Sequence, residues 1–384
     1  MADVISNLPE AVLCHILSFM PTEEVVATSV LSKRWKELWR VVPTLDFDHE
    51  IYNENKESHS RFVEFVYAVM LSRDLHQPIQ TFSLRCCDHI NVNVWINAAL
   101  QRRVEQFNLY LPQSLNLSSA IFSHKTLVVL KLVGSTVPAL SSVDLPSLKI
   151  LSLCSVVFLD PRYLAELLSG CPILEDFKLK KIFFNNALPE GEFKRIPMLV
   201  RADIHRGYIP LEIVSNVEFL CLHEFELEDV DEEMDVVNNE DTNPSIIDFV
   251  PVFHNLSHIE VNYMDYSKDW RMVVDMLNYL PKLQALVINQ VYLDEEHEAE
   301  RGDWAYPQSV PESISLQLKT CCLINYTGSK DDLQLAKYIM QNATHLRTMK
   351  ICVYMKANPE EKLKMLKKLS SCTRRSATCK LSFK

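Results

Sequence analysis

The sequence is poor in glycine, with six in 384 residues. That scarcity disfavours glycine-rich turns that cradle phosphate, and none of G-x-G-x-x-G, G-x-x-x-x-G-K, G-x-S-x-G or H-E-x-x-H occurs. No run approaches the roughly 18 consecutive apolar residues of a membrane span. The first residues lack the basic patch of a secretory leader, and Cys14-His15 interrupts the apolar stretch behind them, so no secretory signal is expected. No C-x-x-C occurs, and no histidine pair stands at zinc-finger spacing behind two cysteines. The eleven cysteines are scattered, mostly inside apolar strand-like runs such as 151–154 and 220–222, with adjacent pairs at Cys86-Cys87 and Cys321-Cys322. This placement reads as free, buried thiols in a reducing compartment, cytoplasm or nucleus, rather than a disulfide framework.

Charge of one sign is missing locally. Residues 207–267 hold fifteen Asp and Glu and no Lys or Arg, so this segment carries −15 and the rest of the −11 chain sums to +4. Residues 345–384 hold eleven Lys and Arg against Glu360 and Glu361. Charge is therefore polarised along the chain, which gives no general case for nucleic-acid binding. The densest acidic stretch, about 224–245, reads as a solvated insertion, with a lip for a basic partner as the functional alternative.

What is present is 48% hydrophobic residues and enough length for two or three domains. Ser6-Asn7-Leu8-Pro9-Glu10 reads as a helix start. Val12, Leu13, Ile16, Leu17 and Met20 follow at helical spacing, and Pro21 ends that helix. A second short helix carries Val25, Val26, Val30 and Leu31, a third carries Trp35, Leu38 and Trp39, and Leu45–Phe47 reads as a strand. Three helices in about 40 residues lie near the lower limit for a self-sufficient core. Their excess of large apolar residues therefore calls for cover from the rest of the chain or from a partner.

From residue 78 onward an apolar-x-x-apolar-x-apolar pattern recurs, with first anchors at Ile79, Val104, Leu127, Leu148, Leu174, Leu199, Val217, Leu256 and Leu283. Most steps fall in or near the range of about 20–29 residues typical of leucine-rich repeats, in which each unit supplies one strand and a return segment. Stacking such units builds a curved parallel sheet. Helices are expected at 161–168, 270–280, 331–342 and 359–371, a strand on Ile314, Leu316 and Leu318, and a last strand on Cys379, Leu381 and Phe383. Residues alternating with the strand anchors face the open side of the sheet. That places Asp176, Lys178, Lys180, Arg201, Asp203 and His205 as candidates for reading a bound target.

Two segments carry a family resemblance. Residues Asp3–Glu10, Ile16–Thr22, Ser29–Trp35, Leu38-Trp39 and Val42–Phe47 resemble the F-box of plant F-box/LRR proteins, without a gap. Val310-Pro311, Tyr326-Thr327-Gly328, Tyr338–Ala343, Leu346–Ile351, Arg375-Ser376 and Cys379–Phe383 resemble the FBD domain that closes many such chains. The resemblance implies an α/β architecture in three parts: a three-helix F-box over 1–47, an irregular leucine-rich-repeat solenoid over 48–300, and a C-terminal α+β FBD unit over 301–384. It also implies a non-catalytic substrate-recognition subunit of a ubiquitin ligase, docking a Skp-family adaptor and through it a cullin. Leu8, Pro9, Ile16, Leu17, Val30, Leu31 and Trp35 would form the adaptor face, and the repeats would hold an unidentified target protein. A small-molecule sensor or a non-degradative scaffold is the alternative. No catalytic residue, metal or cofactor is expected, and neither membrane nor nucleic acid as partner.

Overall fold

The spacing of the repeat anchors puts two apolar side chains, two residues apart, on one face of each strand. In the computed structural model all nine of these pairs fall on strands of parallel ladders. Residues 5, 8–52, 56–74, 76–86, 91–184, 193–205, 207–224, 250–263, 271–290, 309–355 and 357–384 are described. The acidic insertion beyond Glu224 and the Ser6-Asn7 helix start lie outside them. The chain divides into two compact units, Met1–Met198 and Leu199–Lys384.

The first unit opens with the short helices α1 (Glu10–Leu17), α2 (Thr22–Ala27) and α3 (Trp35–Leu38). Strand β1 (Thr44–Asp48) follows, and α4 (Lys56–Ser72) crosses over to β2 (Thr81–Arg85). Helix α4 buries Phe62, Val66, Val69 and Met70, a helical stripe that makes the parallel return possible. Helix α5 (Asn93–Leu100) leads to β3 (Gln106–Tyr110). The array continues through β4 (Val129–Val133), β5 (Thr136–Val137), β6 (Ile150–Cys154), β7 (Val157–Phe158), α6 (Arg162–Ser169), β8 (Asp176–Lys180) and β9 (Phe183–Phe184). In register, Leu45 pairs Phe82, Phe82 pairs Phe107, then Leu130, Leu151 and Phe177 follow strand by strand. All six are buried, as are their partners two residues on. The strand that closes the 1–47 segment is thus the first rung of the repeat ladder.

A second, three-stranded parallel sheet, β5-β7-β9, runs along the unit. Between main strand and side strand the chain turns through positive φ, at Gly134 (72°) and Ser135 (73°), at Ser155 (54°) and at Lys181 (51°). At Gly134 a side chain has no room: a Cβ would lie 1.6 Å from the Leu111 carbonyl oxygen.

The second unit has strands β10 (Arg201–His205), β11 (Phe219–Glu224), β12 (His258–Tyr263) and β13 (Ala285–Gln290), with α7 (Arg271–Met276) between the last two. The ladder runs on without change of direction into β14 (Thr320–Tyr326), α8 (Lys330–Asn342), β15 (Thr348–Val353), α9 (Pro359–Ser370) and β16 (Lys380–Phe383). Leu286 pairs Cys321, Cys321 pairs Met349, and Met349 pairs Leu381. The FBD-like segment is therefore the same strand–helix repeat continued. Its motif residues are structural. Tyr326 is buried, Thr327 donates from its N–H and its hydroxyl to Asp332 at 2.8 Å each, and Gly328 turns through φ 76° against Met365. Asn358 and Glu361 close a reciprocal capping box on α9.

One expected strand is corrected. Residues Ser313–Gln317 form a π-helical turn, and the strand begins only at Thr320. The reason is spacing: Ile314 and Leu318 are both buried four residues apart, while Leu316 between them is exposed. The described cysteines are free thiols, and burial pushes that of Cys171 up to about 12.

Two glycines separate conformational from steric cost. Gly134 and Gly207 both have positive φ, but a Cβ on Gly207 meets nothing within 4 Å. Gly134→Ala is expected to destabilise by at least about 1 kcal/mol more than Gly207→Ala, read as the difference between their denaturant unfolding curves.

Candidate functional site

Helix α1 is apolar nearly all round, and a helix of that kind needs cover on two sides. One side is supplied within the unit. Leu13, Leu17, Val25, Trp35, Leu38 and Val42 form the small core of the helical module, with Leu8, Cys14, Met20 and Trp39 packed against it. The other side faces outward: Val12 is 42% exposed, Ile16 44% and Phe19 77%. These three recur at i, i+4 and i+7, so they share one helical face. Val30, in the single 3₁₀ turn after α2, is 86% exposed, and the adjacent Leu31 is 63% exposed.

The seven residues expected on the adaptor face therefore divide. Pro9, Ile16, Val30 and Leu31 are exposed. Leu8 is half-buried, and its carbonyl accepts from Arg34 Nη2 at 2.5 Å, which ties the entry to α1 onto the segment before α3. Leu17 and Trp35 are core residues that hold the face from behind. Ile5, Val12 and Phe19 are outward and were not among the expected set. The signal for Val12 and Phe19 was available, since they flank Ile16 by −4 and +3. Helical periodicity alone does not separate the two apolar sides of α1.

The module is fastened to the first repeats by polar bonds. Asp46 N–H donates to Thr22 Oγ1 at 2.7 Å, joining α2 to β1. Arg73, at the end of α4 and buried, donates to the Trp39 carbonyl at 3.0 Å and to the Val42 carbonyl at 2.7 Å. Burial, with the neighbouring Arg102 cation, lowers the Arg73 pKa to about 10, so it remains charged at neutral pH.

The open face of the sheet in the first unit carries a polar groove lined by Asp46, Asp48, Ser83, Arg85, Asn108, Tyr110 and Lys131. The Arg85 guanidinium lies 4.8 Å from the Tyr110 ring centroid, 3.6 Å from Asp48 and 3.2 Å from Glu50. Burial, with Asp48 beside it, raises the Asp46 carboxyl pKa. None of these groove residues was singled out from the sequence, because only the strand register brings them together. Of the expected target-reading set, Asp176, Lys178 and Lys180 alternate along β8 as half-buried residues on the first unit's open face. Arg201, Asp203 and His205 lie on β10 in the second unit. There Arg201 is exposed over the Phe219 ring at 4.1 Å, Asp203 is half-buried, and His205 is only 4% exposed, stacked on His223. Among the described residues, no helix is long and apolar enough to cross a membrane.

Comparison with known proteins follows this geometry. The F-box domain model matches residues 5–46, which hold the whole outward apolar face. A model of the LRR repeats of FBD-associated F-box protein At5g56370 matches residues 92–188, and the FBD model matches residues 306–351. The chain is 30% identical to the Arabidopsis thaliana F-box/FBD/LRR-repeat protein At4g26340 over 442 residues, covering 99% of this chain and 100% of that one. It is 29% identical to FBD-associated F-box protein At3g52670 of the same plant, covering 99% and 97%. A 43% match to the Arabidopsis F-box/LRR-repeat protein At4g14096 covers 47% of this chain and 40% of that one.

The division of the helical module into core and face has a measurable consequence. Leu17→Ala or Trp35→Ala is expected to cost about 2–5 kcal/mol of stability. Val30→Ala combined with Leu31→Ala is expected to change it by about 0.5 kcal/mol or less. Chemical denaturation of the four proteins, wild type included, checks both.

Proposed function

Because the chain belongs to the family of F-box/FBD/LRR-repeat proteins, we propose that it is the substrate-recognition subunit of a Skp–cullin–F-box ubiquitin ligase. F-box domains generally bind Skp-type adaptors, and F-box proteins with leucine-rich repeats generally act as substrate adaptors. The observation that carries the reading here is the outward apolar face of the helical module. Pro9, Val12, Ile16, Phe19, Val30 and Leu31 are exposed within a module whose own core is already filled by other residues. Fully burying each large side chain in such a face is worth roughly 1.5–3 kcal/mol, a strong drive toward a partner.

In this reading the adaptor covers α1 and the turn at Val30-Leu31, and through it the chain joins a cullin. The open face of the repeats receives the target protein. The groove at Asp46, Asp48, Arg85 and Tyr110 offers charge of both signs and an aromatic surface for that purpose. Ubiquitin transfer belongs to the other subunits, and the chain itself contributes binding. The cytoplasm or nucleus, where such ligases and free thiols coexist, is the proposed location.

Co-expression with a Skp-type adaptor, followed by titration calorimetry, tests the docking face. Val30→Glu combined with Leu31→Glu is expected to weaken the complex by about 30-fold or more, because central interface side chains are worth about 2 kcal/mol or more each. Leu71→Glu, equally exposed but on α4, serves as the control and is expected to leave affinity unchanged. Wild-type affinity in a folded Val30/Leu31 double variant would refute the docking mode.

A further inference from the structure

On the open face of the second unit, strand pairing collects three different metal-binding atoms that the sequence keeps apart. Asp203 on β10 stands directly opposite Cys221 on β11, and His223 lies two residues along β11 on the same face. The result is one oxygen, one sulfur and one nitrogen donor, all within 4.8 Å of one another. His223 Nε2 is 2.9 Å from Asp203 Oδ1 and 3.3 Å from Cys221 Sγ. We propose that Asp203, Cys221 and His223 form a zinc site.

The first argument is valence. The nitrogen, the carboxylate oxygen and the sulfur each offer a lone pair toward a common point. A divalent ion at their centre satisfies all three lone pairs together. With Zn–N and Zn–O near 2.0–2.2 Å and Zn–S near 2.3 Å, tetrahedral ligand atoms lie about 3.4–3.6 Å apart. The two distances from His223 Nε2 lie within about 0.5 Å of those values, and the carboxylate oxygen and the sulfur, within 4.8 Å of each other, close on the ion by side-chain rotation. The mixture of imidazole, thiolate and carboxylate selects zinc over magnesium or calcium, which prefer oxygen alone. Three protein ligands leave the fourth position to water.

The second argument is the surrounding support, which metal sites need as much as ligands. The His205 ring, buried, stacks on His223 at 4.8 Å with the planes 10° apart, and Tyr208 stacks on His205 in turn. The buried His205 ring thus supports the His223 ring from one face. From the other side comes a ladder of amides: Asn325 Nδ2 donates to Asn289 Oδ1 at 3.1 Å, and Asn289 Nδ2 donates to Asn262 Oδ1 at 2.6 Å. Asn262 Nδ2 then donates to Cys221 Sγ at 3.3 Å. The ladder delivers a donor to the sulfur, the polarity that stabilises a metal-bound thiolate.

Cobalt titration of the purified full-length chain tests the site, because a thiolate on Co²⁺ gives a near-ultraviolet charge-transfer band and tetrahedral Co²⁺ absorbs in the visible. One equivalent of Co²⁺ is expected to raise both bands, and Zn²⁺ to bleach them. Cys221→Ser is expected to abolish the charge-transfer band. His223→Gln and Asp203→Asn are expected to weaken binding about tenfold or more. Cys322→Ser with Cys352→Ser, on β14 and β15 of the same unit, is expected to bind normally. Zinc X-ray absorption of the wild-type chain gives a reading independent of any variant's folding, one sulfur near 2.3 Å with the rest nitrogen or oxygen near 2.0–2.2 Å. No charge-transfer band at a roughly tenfold excess of Co²⁺, survival of the band in Cys221→Ser, or a zinc shell without sulfur would overturn the proposal. Each of these is the behaviour of a hydrogen-bonded Asp–His pair beside an uninvolved thiol.

Discussion

Each strand of four residues or more presents a pair of apolar side chains two residues apart, such as Phe107 and Leu109 or Leu286 and Ile288, and no repeat encloses its own pair. Only a neighbour in register can do so, because a slip by one residue would turn every pair outward. That requirement fixes where the polar side chains go. Once Ala202 and Ile204 are held against Leu220 and Leu222, Asp203 has no choice but to stand beside Cys221 on the opposite face. Once Phe82 and Leu84 are inward, Ser83 and Arg85 face the groove. The arrangement of the polar surfaces is a by-product of core register.

The helical module obeys a different economy. It is too small to enclose all its apolar side chains, and the structure shows which ones it keeps. Leu13, Leu17, Val25, Trp35, Leu38 and Val42 make a closed core. Ile16, Phe19, Val30 and Leu31 remain in solvent. An exposed apolar face of this kind persists in a soluble chain when a partner covers it, whereas the core behind it has to be complete beforehand so that the face is rigid when the partner arrives.

The repeat strands were legible because their signal is local: an apolar residue, then others three and five positions on, repeated at intervals the chain itself displays. Helices α6, α8 and α9 were legible from helical spacing. Helix α4 shows the same kind of stripe at Phe62, Val66, Val69 and Met70, yet it went unread beside the stronger strand pattern. Residues 314–318 were misread because Ile314, Leu316 and Leu318 alternate in sequence while only the pair four apart is buried. The outward apolar residues of the helical module were legible in part. In a helix apolar on two sides, periodicity cannot say which side meets the core. The Asp203–Cys221–His223 cluster was beyond any local reading, since Asp203 stands on one strand and the other two on the next.

The joint between helical module and repeats explains how a small, apolar helical element can have a fixed orientation. Strand β1 belongs to both, covalently continuous with the helices and hydrogen-bonded along its length to β2. Apolar packing alone would tolerate some rotation about that strand, because dispersion and hydrophobic terms are weakly directional. The Arg73 bonds are not. A planar guanidinium donating to two carbonyls three residues apart, Trp39 and Val42, defines a plane as well as a distance. Burying the cation is costly unless its bonds are made, so a rotated joint would lose those bonds and keep the desolvation. The lowered but still basic pKa of Arg73 is the trace of that balance. Orientation is thus enforced by a buried cation at the joint whose bonds a rotation would break.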